Sequence, residues 1–190
     1  MKIVVSILVL LIVFISCTST KIVTEAQQKE MVLWGNETPF KIVSHRASPM
    51  PTAAFSAVAN SGLLAPGNTA ANISLIGNVN FFKMDGDTIS AYLPYFGERR
   101  FGFNFGSNEG GISFNDKPLI EEINYNVKKQ RVEMHFRIKQ ERDNEVYDIL
   151  IFIFANHSTH ISVNSSERTP INYYGKIKPL ETKDVAKVGL

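Results

Sequence analysis

The residues with the strongest chemical potential are scattered. His157 and His160, in "HSTH", have a spacing that could bring two imidazoles to one metal, but no acidic partner and no helical frame accompanies them. They read as loop histidines. His135 falls on the polar face of an alternating segment, and His45 falls near a strand end. Glu121 and Glu122 are adjacent and so point to opposite faces of a strand, while Asp85 and Asp87 flank a turn glycine. Neither pair is set for acid–base work. Ser165-Ser166-Glu167-Arg168 offers hydroxyls without a base in obvious reach. The expectation is a protein that is not an enzyme, with no metal and no cofactor.

A different kind of density occurs between Tyr92 and Phe114, "YLPYFGERRFGFNFGSNEGGISF", where seven aromatic rings and five glycines share one short piece. In an extended chain Phe101, Phe103 and Phe105 fall on one face, and Gly102, Asn104 and Gly106 on the other. Two readings stay open. The rings can fill the core of a sharply curved wall that the glycines allow to bend. Alternatively Tyr92, Tyr95, Phe96 and the three phenylalanines line a cavity mouth for an apolar ligand, with Arg99 or Arg100 placed for an anionic head group.

The elements that must position these residues are mostly strands. Thr24 to Trp34 is rich in helix formers, with Thr24 and Gln27 in a capping-box arrangement. From Phe40 the period becomes two. Strands are expected at Phe40–Arg46 and at Ile73–Lys83, the latter with Ile73, Leu75, Val79 and Phe81 on one face. The Ala-, Ser-, Pro-, Gly- and Asn-rich tract from Ser48 to Asn72 between them is too long for a simple connection and reads as a lid or a disordered flap. Asp85-Gly86 marks a hairpin of type I′, returning along Thr88–Tyr95 until Pro94 forces an edge, a bulge or an end. Ile123, Tyr125 and Val127 alternate with polar residues. Val132, Met134, Phe136 and Ile138 then give the clearest one-sided strand. Arg142 to Glu145 is a polar turn into Val146–Ala155, whose nearly continuous apolar run suggests cover on both faces. Two more strands, His160–Asn164 and Ile171–Ile177, precede a charged tail. The fold class is therefore all-β: an antiparallel lipocalin-like barrel, or alternatively a sandwich, behind a short N-terminal helix.

The N-terminus supplies an address. Met1 and Lys2 precede an apolar run from Ile3 to Ile15, too short for the ~20 residues that a spanning helix needs. Phe14-Ile15-Ser16-Cys17 resembles a bacterial lipobox, with Phe14 where Leu, Val or Ile is usual, and Cys17 is the chain's sole cysteine. The divisions expected are a leader over 1–16, then anchor, linker and helix over 17–39, a barrel over 40–178 and a charged tail over 179–190. Cys17 is the expected lipid attachment site, which makes a membrane the first partner. Thr18 is not the aspartate associated with inner-membrane retention, and Thr18 to Lys21 lack the acidic cluster of surface-exported lipoproteins. The anchor is thus expected in the outer membrane, facing the periplasm. A net charge of +2 gives no concentrated basic face, so nucleic acid is not expected.

Tyr92-Leu93-Pro94-Tyr95-Phe96-Gly97, Gly110-Gly111-Ile112 and Tyr173-Tyr174-Gly175, with Met50-Pro51, Asp85-Gly86-Asp87 and Arg168, resemble the family called domain of unknown function 4251. The resemblance covers about residues 44–178. It implies a lipoprotein of the Bacteroidota with a lipocalin-like barrel, and brings no activity, substrate or catalytic residue. The function expected is non-enzymatic binding of a small apolar or lipid-like ligand within the barrel. The alternative is an envelope structural or protein-interaction module whose barrel is filled and holds no ligand.

Overall fold

The computed structural model describes residues 23–36, 38–100, 110–140 and 145–180. Helix α1 (Glu25–Asn36) leads into strand β1 (Phe40–Pro49), followed by α2 (Ala53–Asn60) and the short β2 (Ile73–Ser74). Then come β3 (Phe81–Asp85), β4 (Thr88–Leu93), β5 (Ile112–Asp116), β6 (Ile120–Asn126), β7 (Arg131–Lys139), β8 (Val146–Phe154), β9 (Ser158–Ser165) and β10 (Ile171–Pro179). All pairings are antiparallel, in the order β5-β4-β3-β1-β10-β9-β8-β7-β6, with β2 added to β1. The sheet curls into a half-barrel. Its two edge strands are consecutive in the chain and only residues 117–119 join them, so the edges must approach one another. Across that seam the Gln140 side-chain amide donates to the Ser113 carbonyl at 2.7 Å. The all-β expectation holds, and the sheet is barrel-like rather than a sandwich.

Alternation sets the inner face. Val132, Met134, Phe136 and Ile138 of β7 are all buried, as their spacing predicts. Rings meet across the interior: Phe82 of β3 lies 6.0 Å from Phe136 of β7, and Phe114 of β5 lies 5.4 Å from Tyr147 of β8. Burying each such ring stabilises the fold by about 1.5–3 kcal/mol. Helix α1 packs on β6 and β7 through the buried Met31 and Trp34. Its capping box forms as expected, with the Thr24 N–H donating to Gln27 Oε1 at 3.0 Å and the Gln27 N–H to Thr24 Oγ1 at 3.3 Å.

Four local expectations are corrected. Ile73–Lys83 is not one strand: Gly77 takes φ +87° in a turn closed by Asn78 N–H to the Leu75 carbonyl, so Val79 is exposed and Phe82, not Phe81, faces the core. The Asn80 side chain fills the gap in pairing, donating to the Ser44 carbonyl at 2.9 Å and accepting from the Ser44 N–H at 2.8 Å. The Ser48–Asn72 tract is not a disordered flap. It continues β1 to Pro49 and forms α2, capped by Thr52 Oγ1, which accepts from the Phe55 N–H at 3.1 Å. The hairpin places Gly86 (φ +60°) first of the two turn residues between Asp85 and Thr88, the pattern of type II′ rather than I′. Strand β4 ends at Leu93, so of the three outcomes expected at Pro94 the chain takes the strand end. Finally β8 is covered mainly on one face: Tyr147, Ile149, Ile151 and Ile153 are buried, whereas outward Leu150 is exposed and Phe152 is roofed by the Arg131 guanidinium at 3.9 Å.

The antiparallel register gives the half-barrel two ends. One carries the β6–β7 and β8–β9 turns and the start of β1. The other carries the end of β1, the starts of β8 and β10 and the segments after β4 and β9.

Candidate functional site: a buried ion-pair network beside an open cleft

At the second end the chain leaves β4 at Pro94 and β9 at Ser165, and the two departing segments pair with each other. Thr169 N–H donates to the Glu98 carbonyl at 3.0 Å, and Arg99 bridges Arg168 antiparallel. This brings together Arg99, Glu167, Arg168 and Glu145, the residue that opens β8. Arg168 Nε lies 2.9 Å from Glu145 Oε1 and 3.3 Å from Oε2, and its Nη1 donates to the Gly111 carbonyl at 3.0 Å. Ser165 Oγ donates to Glu145 Oε1 and accepts from the Arg168 N–H at 3.2 Å. Arg99 Nη2 lies 2.6 Å from Glu167 Oε2 and 3.7 Å from Glu145 Oε2. Glu145 is wholly buried and Arg168 nearly so.

Three tyrosines flank this network. The Tyr95 hydroxyl sits 2.8 Å from Thr169 Oγ1 and 3.0 Å from the Glu98 carbonyl, beneath the Arg168 guanidinium, 5.2 Å from its ring. Burial pushes its phenol up from the usual value, against the pull of its Thr169 bonds. Tyr173 donates to the Pro94 carbonyl at 2.8 Å. The Tyr147 hydroxyl is buried and makes no hydrogen bond of ordinary geometry, and burial pushes its phenol far up, with Arg168 opposing and the nearby Glu145 carboxylate reinforcing the shift through its charge and a loose hydrogen-bonding contact. Gly97 fits under the Tyr95–Thr169 contact, where an added Cβ would come within 2.6 Å of both hydroxyl oxygens. Thr52, the cap of α2, also donates to Glu98 Oε1, tying the insertion between β1 and β2 to the network.

Beside the network lies an open cleft of about 480 Å³. Leu63, Leu64, Ala65, Pro66, Ile73, Ile76 and Phe96 line it, with Asn68, Ser74 and Asn78 as its polar groups. Leu63 and Ile76 stay 76% and 82% exposed, and Val79 nearby in sequence is 77% exposed.

The aromatic stretch is thus divided among several places. Tyr95 and Arg99 join the network, Phe96 lines the cleft, and Tyr92 faces outward on β4 against Phe81 at 6.5 Å. Phe101, Phe103, Phe105 and Cys17 lie outside the described residues. His157 lies against Glu30 at 3.0 Å, while His160 stacks on Tyr174 at 4.7 Å. Among the described residues no group of three or more His, Cys, Asp or Glu is placed to hold a metal ion, and no helix is long and apolar enough to cross a membrane. Glu145 was the residue least visible in the sequence: it reads as part of a solvated turn, and the structure makes it the most buried charge among the described residues. The only sequence signal is its place directly before an apolar strand.

A family model described as Domain of unknown function (DUF4251) matches residues 22–177. The chain belongs to that family. Neither the curated proteins nor the solved structures give a match. Several of the DUF4251 residues read from the sequence have structural roles at this end or in the strands leading to it. Pro94 stops β4 and accepts from Tyr173, Gly97 makes room for the Tyr95–Thr169 contact, and Arg168 holds Glu145 to Gly111. Gly175 sits at the β1 irregularity, where a Cβ would come within 2.2 Å of the Val43 carbonyl oxygen.

Proposed function

We propose that this DUF4251 protein is a non-enzymatic cell-envelope lipoprotein, held to the outer membrane through Cys17 and facing the periplasm, that binds a small apolar or lipid-like molecule. The binding place is the cleft beside Phe96, not the barrel interior. Packing supports that location: Phe82 against Phe136 and Phe114 against Tyr147 lie in the described interior, whereas the cleft leaves about 480 Å³ open beside Phe96, Leu63 and Ile76, with polar groups from Asn68, Ser74 and Asn78. Small-molecule sites are typically of ~300–1,000 Å³, mostly apolar, with a few polar groups that fix orientation. The ion-pair network supplies rigidity at the cleft's edge, since Phe96 lies between Tyr95 and the Glu98–Thr169 pairing.

Native mass spectrometry of the mature chain, before and after denaturation, tests the reading. A recurrent small-molecule adduct released on unfolding is expected; a bare mass in every preparation contradicts it. A second reading has its own support in the rings packed within the described interior and in Val58 and Val79, apolar and exposed outside the cleft lining. On that reading the insertion docks another envelope protein, and crosslinking through it returns a recurrent protein neighbour in place of a small-molecule adduct.

A further inference from the structure

The end of the half-barrel opposite the network is formed by turns. The β6–β7 turn, residues 127–130, carries Val127, Lys128 and Lys129, all exposed, with Val127 at 72%. Gln130 closes the turn at φ 49°, and its side-chain oxygen accepts from the Val23 N–H at 3.4 Å, so the first described residue of the chain is tied to this turn. From Val23 back to Cys17 is six residues, which at full extension reach no more than about 20 Å.

We infer that the β6–β7 turn rests on the bilayer surface, with Val127 entering the interface and Lys128 and Lys129 meeting lipid phosphates. This rests on the lipid-anchored reading given above. An acylated Cys17 puts the start of the folded domain within a short tether of the head groups, and the tether ends on this turn. An exposed apolar side chain flanked by long cationic ones suits that boundary: the valine gains by leaving water, while lysine stems lie along apolar surface with their charges among phosphates. The exposed ion pair of Lys129 with Glu133, at 3.7 Å, is weak enough to be exchanged for a head group. The acidic turn of Asp85 and Asp87 is at the same end, and there Asp87 is paired with Lys117 at 2.5 Å. The domain leans on the β6–β7 turn, to which Val23 is tied, and anionic lipid is met there by lysines. The consequence for the binding reading is direction. β9 runs eight residues from the turn end to Ser165, so the ion-pair network stands roughly 25 Å farther from the bilayer, directed into the periplasm.

The test uses the mature acylated chain in nanodiscs of phosphatidylethanolamine and phosphatidylglycerol doped with a gadolinium-chelating lipid, read by amide NMR. Amides of 127–130 should lose their signals while those of 165–169 keep theirs, and Val127→Asp with Lys128→Glu should restore the turn signals. Loss at 165–169 with retention at 127–130, or equal loss at both, overturns the orientation. Intact mass separates the two failures. A chain without acyl mass on Cys17 overturns the lipoprotein reading and this orientation with it, whereas an acylated chain whose turn keeps its signals overturns the orientation alone.

Discussion

Arg168 lays its Nε 2.9 Å from Oε1 of Glu145, a carboxylate with no exposure, across a separation of 23 residues. Burying both charges costs several kcal/mol per ion, so the pair holds the end of the half-barrel together only while complete. Removing one partner leaves the other charged and desolvated. Glu145→Ala and Arg168→Ala are each expected to cost about 3–5 kcal/mol in urea unfolding. The double variant Glu145→Leu, Arg168→Met should cost much less than their sum; strictly additive losses would show that the two charges do not depend on each other.

The glycines separate by what surrounds them. Gly175→Ala drives a methyl against the backbone of Val43 and Ser44 and should destabilise by about 2–3 kcal/mol. Gly97→Ala meets only the ends of Tyr95 and Thr169, so a loss of about 1–2 kcal/mol is expected as their contact is displaced. Gly110 has open space, and Gly110→Ala should stay within about 0.5 kcal/mol of wild type. Thermal unfolding of the three variants checks the order, and a reversal of the first and third contradicts it.

Two buried tyrosines should respond oppositely to loss of the hydroxyl. Tyr173→Phe leaves the Pro94 carbonyl without its donor and is expected to cost about 1–2 kcal/mol. Tyr147→Phe removes a hydroxyl that makes no hydrogen bond of ordinary geometry, so stability should be unchanged or slightly higher. Equal losses for the two in denaturant titrations would contradict this assignment.

Acid should expose the outer-face cluster on β7 and β8. Burial opposes ionisation of Asp148, yet bonds from Arg137 and His135 hold its carboxyl below the usual range. A depressed folded pKa means stability that is present above the unfolded value of about 3.9 and lost as pH falls through the folded one. The stability difference between wild type and Asp148→Asn should therefore be largest above about pH 5 and shrink towards zero near pH 2. A difference independent of pH would contradict the linkage.

Local chemistry was readable and distant chemistry was not. The alternation of β7, the Thr24–Gln27 cap and the stop at Pro94 each depend on neighbours within a few residues, and the sequence shows all three. The burial of Glu145 depends on Arg168, delivered only after β8 and β9 have folded back. Likewise Asn80 completes the pairing of Ser44 from 36 residues away, so a stretch that alternates like one strand becomes a strand, a turn and a side-chain splice. The cleft joins Phe96 to residues 63–78, a contact that no periodicity announces.

The central claim is that the cleft, not the interior, takes an apolar guest. Titration of a dansylated undecanoic acid into the mature chain, alongside folded Phe96→Asp and Ile76→Asp variants, tests it most directly. Saturable one-to-one fluorescence enhancement is expected for wild type, weakened at least about tenfold, or ~1.4 kcal/mol, in each variant. Absence of saturable binding, or affinities unchanged by either substitution, would contradict it.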